Sequence, residues 1–306
     1  MFDVVIVGGG AAGLTASIYA SRARLKTLLI EKAYPGGQIM MCETIENYPG
    51  FKEPISGLDL VEAMRIQAEK FGTEQRIAEI EWMDLLGIEK VLHTVEKEQI
   101  YTKTVILCLG ARPRLLGVPG EKEFLGRGVS YCATCDGAFF AEKNIVVVGG
   151  GDTALEDAQF LTRYASKVTI IHRRDKFRAQ KIIQERVFDN PKIEVIWDSV
   201  VNEISGNDNV ESINIQNIQT GEMSTIETDG VFVLIGNVPN TQLIEGQVEL
   251  DENGYVKTDS NMQTNINGVF AAGDIRGKLL RQVVTACGDG ATAAFAAERY
   301  IEGTLH

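Results

Sequence analysis

Cys132-Ala-Thr-Cys135-Asp136 sets two thiols three positions apart with a carboxyl group directly after them. Three chemistries suit such a pair: a redox dithiol, half of a zinc site, or two inert buried thiols. Zinc would need two further ligands at suitable spacing. The chain has no second Cys-x-x-Cys, its histidines (His93, His172 and His306) form no ligand pattern, and Cys42, Cys108 and Cys287 are isolated, so no metal site is expected. Redox chemistry leads because two nucleotide fingerprints accompany the pair. Disulfide reduction consumes protons, so Asp136 reads either as their donor and acceptor or as a solvated loop acid. The isolated cysteines read as small apolar fillers, since free cysteine is among the most buried residue types.

The first fingerprint is Gly8-Gly-Gly10-Ala-Ala-Gly13, preceded by the strand-like Asp3-Val-Val-Ile-Val7. Gly8, Gly10 and Gly13 allow a tight turn, close approach of backbone to a pyrophosphate and close helix packing, while the helix N-terminus offers free N–H groups and partial positive charge. Glu31 ends the next strand, Thr27-Leu-Leu-Ile-Glu31, 18 residues past Gly13. A carboxylate there accepts from ribose hydroxyls and repels a 2′-phosphate, which suits FAD or NAD. The second fingerprint spans Gly149, Gly151, Asp152 and Thr153 and ends differently: His172, Arg173, Arg174 and Arg178 stand where the first copy has its acid. Guanidinium forks pair with phosphate oxygens and keep their charge, so the expected ligand carries a 2′-phosphate, namely NADPH. The competing reading of this run is a solvated basic face.

Laying Asp3-Val-Val-Ile-Val-Gly-Gly-Gly10 over Asn144-Ile-Val-Val-Val-Gly-Gly-Gly151, at an offset of 141, exposes an internal repeat. Both copies read strand, glycine turn, helix, strand, the last being Lys167-Val-Thr-Ile-Ile-His172 in the second copy. Short continuous apolar runs between helix-length segments imply parallel strands covered on both faces. Pro/Gly clusters at Arg112–Gly120 and Gly236–Asn240 bracket the second copy. The strand-like Gly268-Val-Phe-Ala-Ala-Gly-Asp274 and an Ala-rich helix from about Gln282 to Tyr300 follow without a fingerprint of their own. The economical reading returns this tail to the first domain and makes the second an insertion. The fold class is therefore α/β with two Rossmann-like dinucleotide-binding domains, one inserted into the other, discontinuous one.

At 306 residues, 44% hydrophobic and 24% charged, the chain has the length for two domains with their own cores. Forty-two acids against 30 bases leave a net charge of -12, which repels phosphate backbones and anionic lipid, so neither nucleic acid nor membrane is an expected partner. The opening residues lack a basic lead or signal-length apolar stretch, and no apolar run nears the roughly 20 residues of a bilayer span. A cytoplasmic location is expected, where cysteines stay reduced unless redox-active.

The chain resembles the low-molecular-weight, bacterial-type thioredoxin reductases over nearly its whole length. The likeness rests on the Gly8 to Gly13 turn, Gly36-Gly37-Gln38, Glu46-Asn47-Tyr-Pro-Gly-Phe51, Ser130-Tyr-Cys-Ala-Thr-Cys-Asp-Gly137 and Gly149 to Thr153. It continues in His172-Arg-Arg-Asp-Lys-Phe-Arg178 and Gly268 to Asp274 with Arg281-Gln-Val-Val284. The resemblance implies an FAD domain made of residues 1–112 and 245–306, and an NADPH domain, residues 113–244, that also carries the dithiol. Carried over by position, Glu31 and Lys32 lie along the adenosine, Gln38 and Asn47 near the isoalloxazine, and Gly273 and Asp274 by the ribityl and pyrophosphate part. Gly37 and Gly110 belong to the same site, and Arg281, Gln282 and Val283 bring a helix N-terminus to the flavin's pyrimidine edge.

The same resemblance makes Cys135 the thiol facing the flavin, Cys132 the thiol that attacks thioredoxin or a thioredoxin-like dithiol protein, and Asp136 the acid. Electrons would pass from NADPH to FAD to the dithiol, with the inserted domain rotating between half-reactions about the two Pro/Gly clusters. A homodimer follows from the resemblance alone. Cys108 and Cys42 depart from the family pattern, at positions that bear on flavin affinity or potential. Two alternatives stay open at this level: another small disulfide as acceptor, with Arg127 as a candidate contact, and a redox sensor without turnover. A third, electrons from ferredoxin, is opposed by the intact arginine run.

Overall fold

The computed structural model describes residues 1–42, 45 and 47–303; Glu46 and His306, both named above, lie outside them. The chain opens with β1 (Phe2–Val7), whose last four side chains are buried, as a strand covered on both faces requires. The glycine turn leads into α1 (Ala11–Arg22), then β2 (Thr27–Glu31), α2 (Gly57–Lys70) and β3 (Glu74–Ile77). A meander of β4 (Ile80–Asp84), β5 (Lys90–Thr94) and the long β6 (Gln99–Leu107) follows, and β7 (Ala111–Pro113) leaves this unit.

The second unit begins with β8 (Val129–Ser130), α3 (Ala133–Asp136) and β9 (Asn144–Gly149), then α4 (Asp152–Leu161), β10 (Lys167–Ile171), α5 (Lys181–Phe188) and β11 (Ile193–Ile196). An antiparallel sheet of β12 (Ser199–Gly206), β13 (Val210–Asn217) and β14 (Met223–Glu227) comes next, before β15 (Gly230–Leu234) and β16 (Asn237–Pro239). The chain then returns to its first unit through β17 (Val269–Ala271) and α6 (Val283–Ile301).

In the first sheet the order is β3-β2-β1-β6-β5-β4, with β17 also on β6. One strand serves both because β5 takes Gln99–Thr102 of β6, antiparallel, while β17 takes Val105–Leu107, parallel. In the second unit β11-β10-β9-β15-β8 form a wholly parallel sheet. A mixed sheet whose centre is parallel and a wholly parallel one, each with a strand, turn and helix at its centre, make the α/β class expected from the repeat.

Two compact units result: Met1–Arg112 with Val238–His306, and Pro113–Asn237. The return falls at Val238, not at residue 245. The reason is local: β16 pairs with β7, so the two connections are stitched together where they meet, and Asn240 N donates to Gly110 O at 3.1 Å. Inside the first unit α6 lies on α1 with backbone in contact. A Cβ on Gly290 would stand 2.2 Å from Ala12 O, and the buried Ala293, Ala294 and Ala297 continue the small face. Among the described residues no helix is long and apolar enough to cross a membrane.

Candidate active site

At the head of β1, Gly8 takes φ +106° and its Cβ would sit 2.3 Å from Cys108 O, so no other residue fits the turn. A Cβ on Gly13 would overlap Gly8 O at 1.8 Å, which lets the first turn of α1 sit directly on the strand end. The position of Gly10 is the reverse: nothing lies within 4 Å of a Cβ there, and no side chain caps the helix. An open space thus faces the uncapped N-terminus, the place an anion takes. Glu31 closes the turn from the side, accepting from Gly9 N at 2.7 Å and from Lys32 N at 2.8 Å. Gly36 N donates to Gly9 O at 2.8 Å and Gly37, at φ +58°, approaches Gly10, so the Gly36-Gly37-Gln38 loop is fastened to the fingerprint. A cleft of about 200 Å³ beside Glu31 is lined by Leu29, Tyr34, Arg65 and Ile77 among others.

Several residues far apart in sequence converge on the same unit. Gln38 Nε2 donates to Ala111 O, beside Gly110, and Asn47 Nδ2 donates to Gln282 Oε1 at 3.0 Å. Gln282 precedes α6, and its backbone N–H is held by Thr285 Oγ1 at 3.2 Å. Gly273 takes φ +80° against Ala12 and leads to Asp274. Asp274 Oδ1 and Arg281 Nε are buried with no hydrogen bond in the described structure, while the Arg281 guanidinium covers the Tyr255 ring at 4.2 Å. Buried polar atoms left without hydrogen-bond partners, together with the open anion cradle at Gly10, are what a polar cofactor would complete. The residues present therefore fit a flavin dinucleotide.

Cys108 is buried against this site. Burial, with the Asp289 carboxylate adding to it, pushes its thiol far up, so it remains protonated and unreactive. Cys287 is half-buried and accepts from Tyr48 OH at 3.7 Å; burial first, then Cys287, raises that phenol to about 12.

The second glycine turn repeats the first. A Cβ on Gly149 would meet Leu234 O at 2.5 Å, whereas Gly151 opens onto free space at the uncapped start of α4. Asp152 reaches across to accept from Gln180 N at 2.7 Å, and Thr153 is exposed beside it. Arg173, Arg174 and Arg178 are exposed, and among the described residues none is in an ion pair. A cleft of about 670 Å³ is lined by Arg173, Arg174, Asp175, Asp198, Ile218 and Gln219. Gln219 comes from the turn between β13 and β14, an element that no nucleotide pattern in the sequence marks.

His172 departs from its expected place beside the ligand. Its ring is buried between Phe177 and Trp197, its Nε2 lies 3.1 Å from Lys176 O, and it abuts Gly150, whose Cβ would stand 2.2 Å from the ring. Burial lowers its pKa below the ordinary histidine range, against backbone hydrogen bonds at Gly149 and Lys176 that raise it. His172 directly follows β10 and continues its buried run, and the chain turns out to solvent only at Arg173. His172 thus supports the glycine turn from beneath, and Arg178 N, donating to Gly150 O at 2.9 Å, ties the arginine loop to the same point.

Cys132 and Cys135 are joined in a disulfide with Cα atoms 5.3 Å apart, at the start of α3. Ser130 organises this loop, although sequence patterns do not single it out. Its hydroxyl donates to Asp136 Oδ2 at 2.6 Å and accepts from Cys132 N at 3.0 Å, fixing both ends of the motif. Burial pushes the Asp136 carboxyl above its usual range and the Ser130 hydrogen bond opposes it. Behind the loop, Tyr131 OH donates to Glu121 Oε1 at 3.1 Å. Glu121 is 1% exposed and accepts from Leu116 N and Gly117 N, each at 2.8 Å, so the strand before the dithiol is tied to the connection that enters the unit. Arg127 spends its guanidinium on Glu123 O and Asp208 O at 2.7 and 3.2 Å.

The family model described as pyridine nucleotide-disulphide oxidoreductase matches residues 2–290. A thioredoxin reductase of Peptoclostridium acidaminophilum is 50% identical over 311 residues, covering 100% of this chain and 98% of the relative. One from Bacillus subtilis (strain 168) is 49% identical over 303 residues, covering 99% and 95%. The crystal structure of thioredoxin reductase from Streptococcus pyogenes MGAS5005 superposes with a TM-score of 0.92 at 46% identity, covering 99% of each chain. The chain belongs to the low-molecular-weight thioredoxin reductases. Membership in this group of flavoprotein oxidoreductases makes Cys132–Cys135 its redox-active disulfide and implies a flavin and NAD(P). Among the described residues no cluster could hold a metal ion.

Proposed function

We propose that this chain is an NADPH-dependent thioredoxin-disulfide reductase that uses FAD and works as a cytoplasmic homodimer. The supporting observation is the union of the Cys132–Cys135 disulfide with two glycine-turn nucleotide folds whose second strands end in opposite charges, Glu31 in one and Arg173 with Arg174 in the other. In the first unit the N-terminus of α1 takes the FAD pyrophosphate, Glu31 and Lys32 the adenosine, and Gly273 and Asp274 the ribityl side. Gln38, Asn47 and Gln282 take the ring, with Gly37, Gly110, Arg281 and Val283 shaping its pocket. Bound there, FAD supplies two-electron transfer between nicotinamide and disulfide. In the second unit Gly149, Gly151, Asp152 and Thr153 receive the NADPH pyrophosphate, and Arg173, Arg174 and Arg178 the 2′-phosphate, with His172 acting from below.

The dithiol then works by exchange. The Cys132 thiolate attacks one sulfur of the thioredoxin disulfide, and the other thioredoxin sulfur leaves as a thiolate. Cys135 attacks Cys132 Sγ, re-forming the Cys132–Cys135 bond and expelling the second thioredoxin thiolate. Each departing thioredoxin thiolate takes up one proton, the pair being those that Cys132 and Cys135 give up, and Asp136, whose burial keeps it protonated to higher pH than a solvated acid, relays them one at a time. Nicotinamide site and dithiol lie on one unit and the flavin site on the other. They must visit the flavin in turn, which the connections at Pro113 and Val238 would permit.

Anaerobic mixing of the yellow protein with NADPH is expected to bleach the flavin, and oxidised thioredoxin to restore its colour. Absence of bleaching removes the donor assignment; bleaching that thioredoxin does not reverse removes the acceptor. Asp136→Asn is expected to slow thioredoxin-linked turnover about 100-fold while NADPH still bleaches the flavin. Because the acid must carry its proton, wild-type turnover should fall as pH rises through the elevated Asp136 pKa. Matching pH profiles for the two proteins would take Asp136 out of the proton path.

A further inference from the structure

Behind Asp274 lies a cluster of charges that the fingerprint motifs do not contain. Asp289, inside α6, is 13% exposed and uses both carboxylate oxygens: Oδ1 pairs with Arg276 Nη1 at 3.1 Å, and Oδ2 with Lys278 Nζ at 3.1 Å. Oδ2 also accepts from Gly273 N at 3.1 Å. Lys278 is shared, since its Nζ stands 3.3 Å from Asp274 Oδ1. Arg276 is fixed further by Thr258 Oγ1, which accepts from its Nε at 2.9 Å.

We propose that Asp289 is a positioning residue for the flavin site, dividing the charge of Lys278 so that Asp274 keeps acceptor capacity for the cofactor's hydroxyl groups. The inference rests on the assignment of Asp274 to the ribityl side. Charge balance supplies the argument. Asp289 faces two cations within 3.1 Å and Asp274 faces one of them at 3.3 Å. Without the Asp289 charge, Lys278 has a single carboxylate left and closes further on Asp274, tightening the present 3.3 Å ion pair into a hydrogen bond on the oxygen that otherwise accepts none. Removing one member of a buried ionic cluster leaves its partners uncompensated, and they rearrange toward whatever charge remains. The Gly273 N–H contact adds a geometric part, because it holds the backbone directly before Asp274 against α6.

The test measures retention of FAD by the full-length protein, read from flavin fluorescence on dilution, alongside the melting temperature after flavin removal. Asp289→Asn keeps the shape of the side chain and is expected to raise the FAD dissociation constant about tenfold. Adding Lys278→Met removes the displaced cation and should bring the constant back to within about threefold of wild type. The relief by a second substitution separates positioning from simple loss of packing, which would lower the melting temperature and be made worse by Lys278→Met. Asp289→Asn protein that holds FAD as tightly as wild type overturns the inference, and so does weakened binding that Lys278→Met fails to relieve. Wild-type protein that retains no FAD overturns the flavin assignment together with this inference.

Discussion

Cys135→Ser protein reduced by NADPH keeps its bleached flavin when thioredoxin is added, and steady-state thioredoxin reduction falls by at least about 10⁴-fold. A serine hydroxyl cannot form the S–S bond that closes the cycle. The first half of the exchange survives, because Cys132 keeps its place at the start of α3 and Ser130 still holds its backbone N–H. Cys132 can therefore attack thioredoxin, nothing in the variant resolves the product, and alkylating the freed thioredoxin thiolate blocks the one route back. The variant should accumulate a covalent complex with thioredoxin, visible on a non-reducing gel and dissolved by dithiothreitol. Cys132→Ser protein should form none. A complex made by the Cys132→Ser protein instead would reverse the roles of the two thiols.

Neutralising Arg173 and Arg174 together should raise the KM for NADPH about 100-fold, at the lower end of what two charge-assisted hydrogen bonds of about 1.5 kcal/mol each supply. The lower end applies because both side chains are exposed and water screens them. NADH, without the 2′-phosphate, should be affected less than about threefold, and kcat with either nucleotide should hold. Steady-state kinetics with both donors decides the matter. Equal losses for NADPH and NADH would place the 2′-phosphate elsewhere.

How much of this could be read in the sequence varies with the physics behind each residue. Gly8, Gly13 and Gly149 are legible because backbone atoms stand where their Cβ would be, so the residue type itself records the contact. The charge at the end of each second strand is legible for a similar reason: it follows a fixed count from a turn of fixed shape. His172 shows the limit of such counting, since the buried run of β10 continues one residue past the strand, and the boundary of the histidine-arginine run does not say which residue turns inward. Asp289 and Lys278 are illegible for a different reason. A carboxylate within an Ala-rich helix reads as a solvated face, and only the fold brings Gly273, Arg276 and Lys278 to it. Ser130 and Glu121 are missed likewise, because each acts partly through backbone N–H groups, which carry no residue identity, and partly through one side chain, Asp136 or Tyr131, that only the folded loop brings to it. The residue at which the chain returns to the first unit is not legible, because the pairing of β7 with β16 is a three-residue event with no apolar pattern.

The interrupted path of the first unit also orders events during synthesis. β17 and α6 belong to the sheet and helix layer begun by β1 and α1, yet they are translated only after the whole of Pro113–Asn237. At about 5–20 residues per second, the ribosome delivers the intervening unit several seconds ahead of the pieces its predecessor is waiting for. Until then the buried C-terminal half of β6 has β1 on one side but lacks β17 on the other, and the backbone of Ala12, which Gly290 will cover, faces water. The nascent chain thus carries a finished second unit beside an open first one. This interval is when chaperones would have an apolar sheet edge to hold.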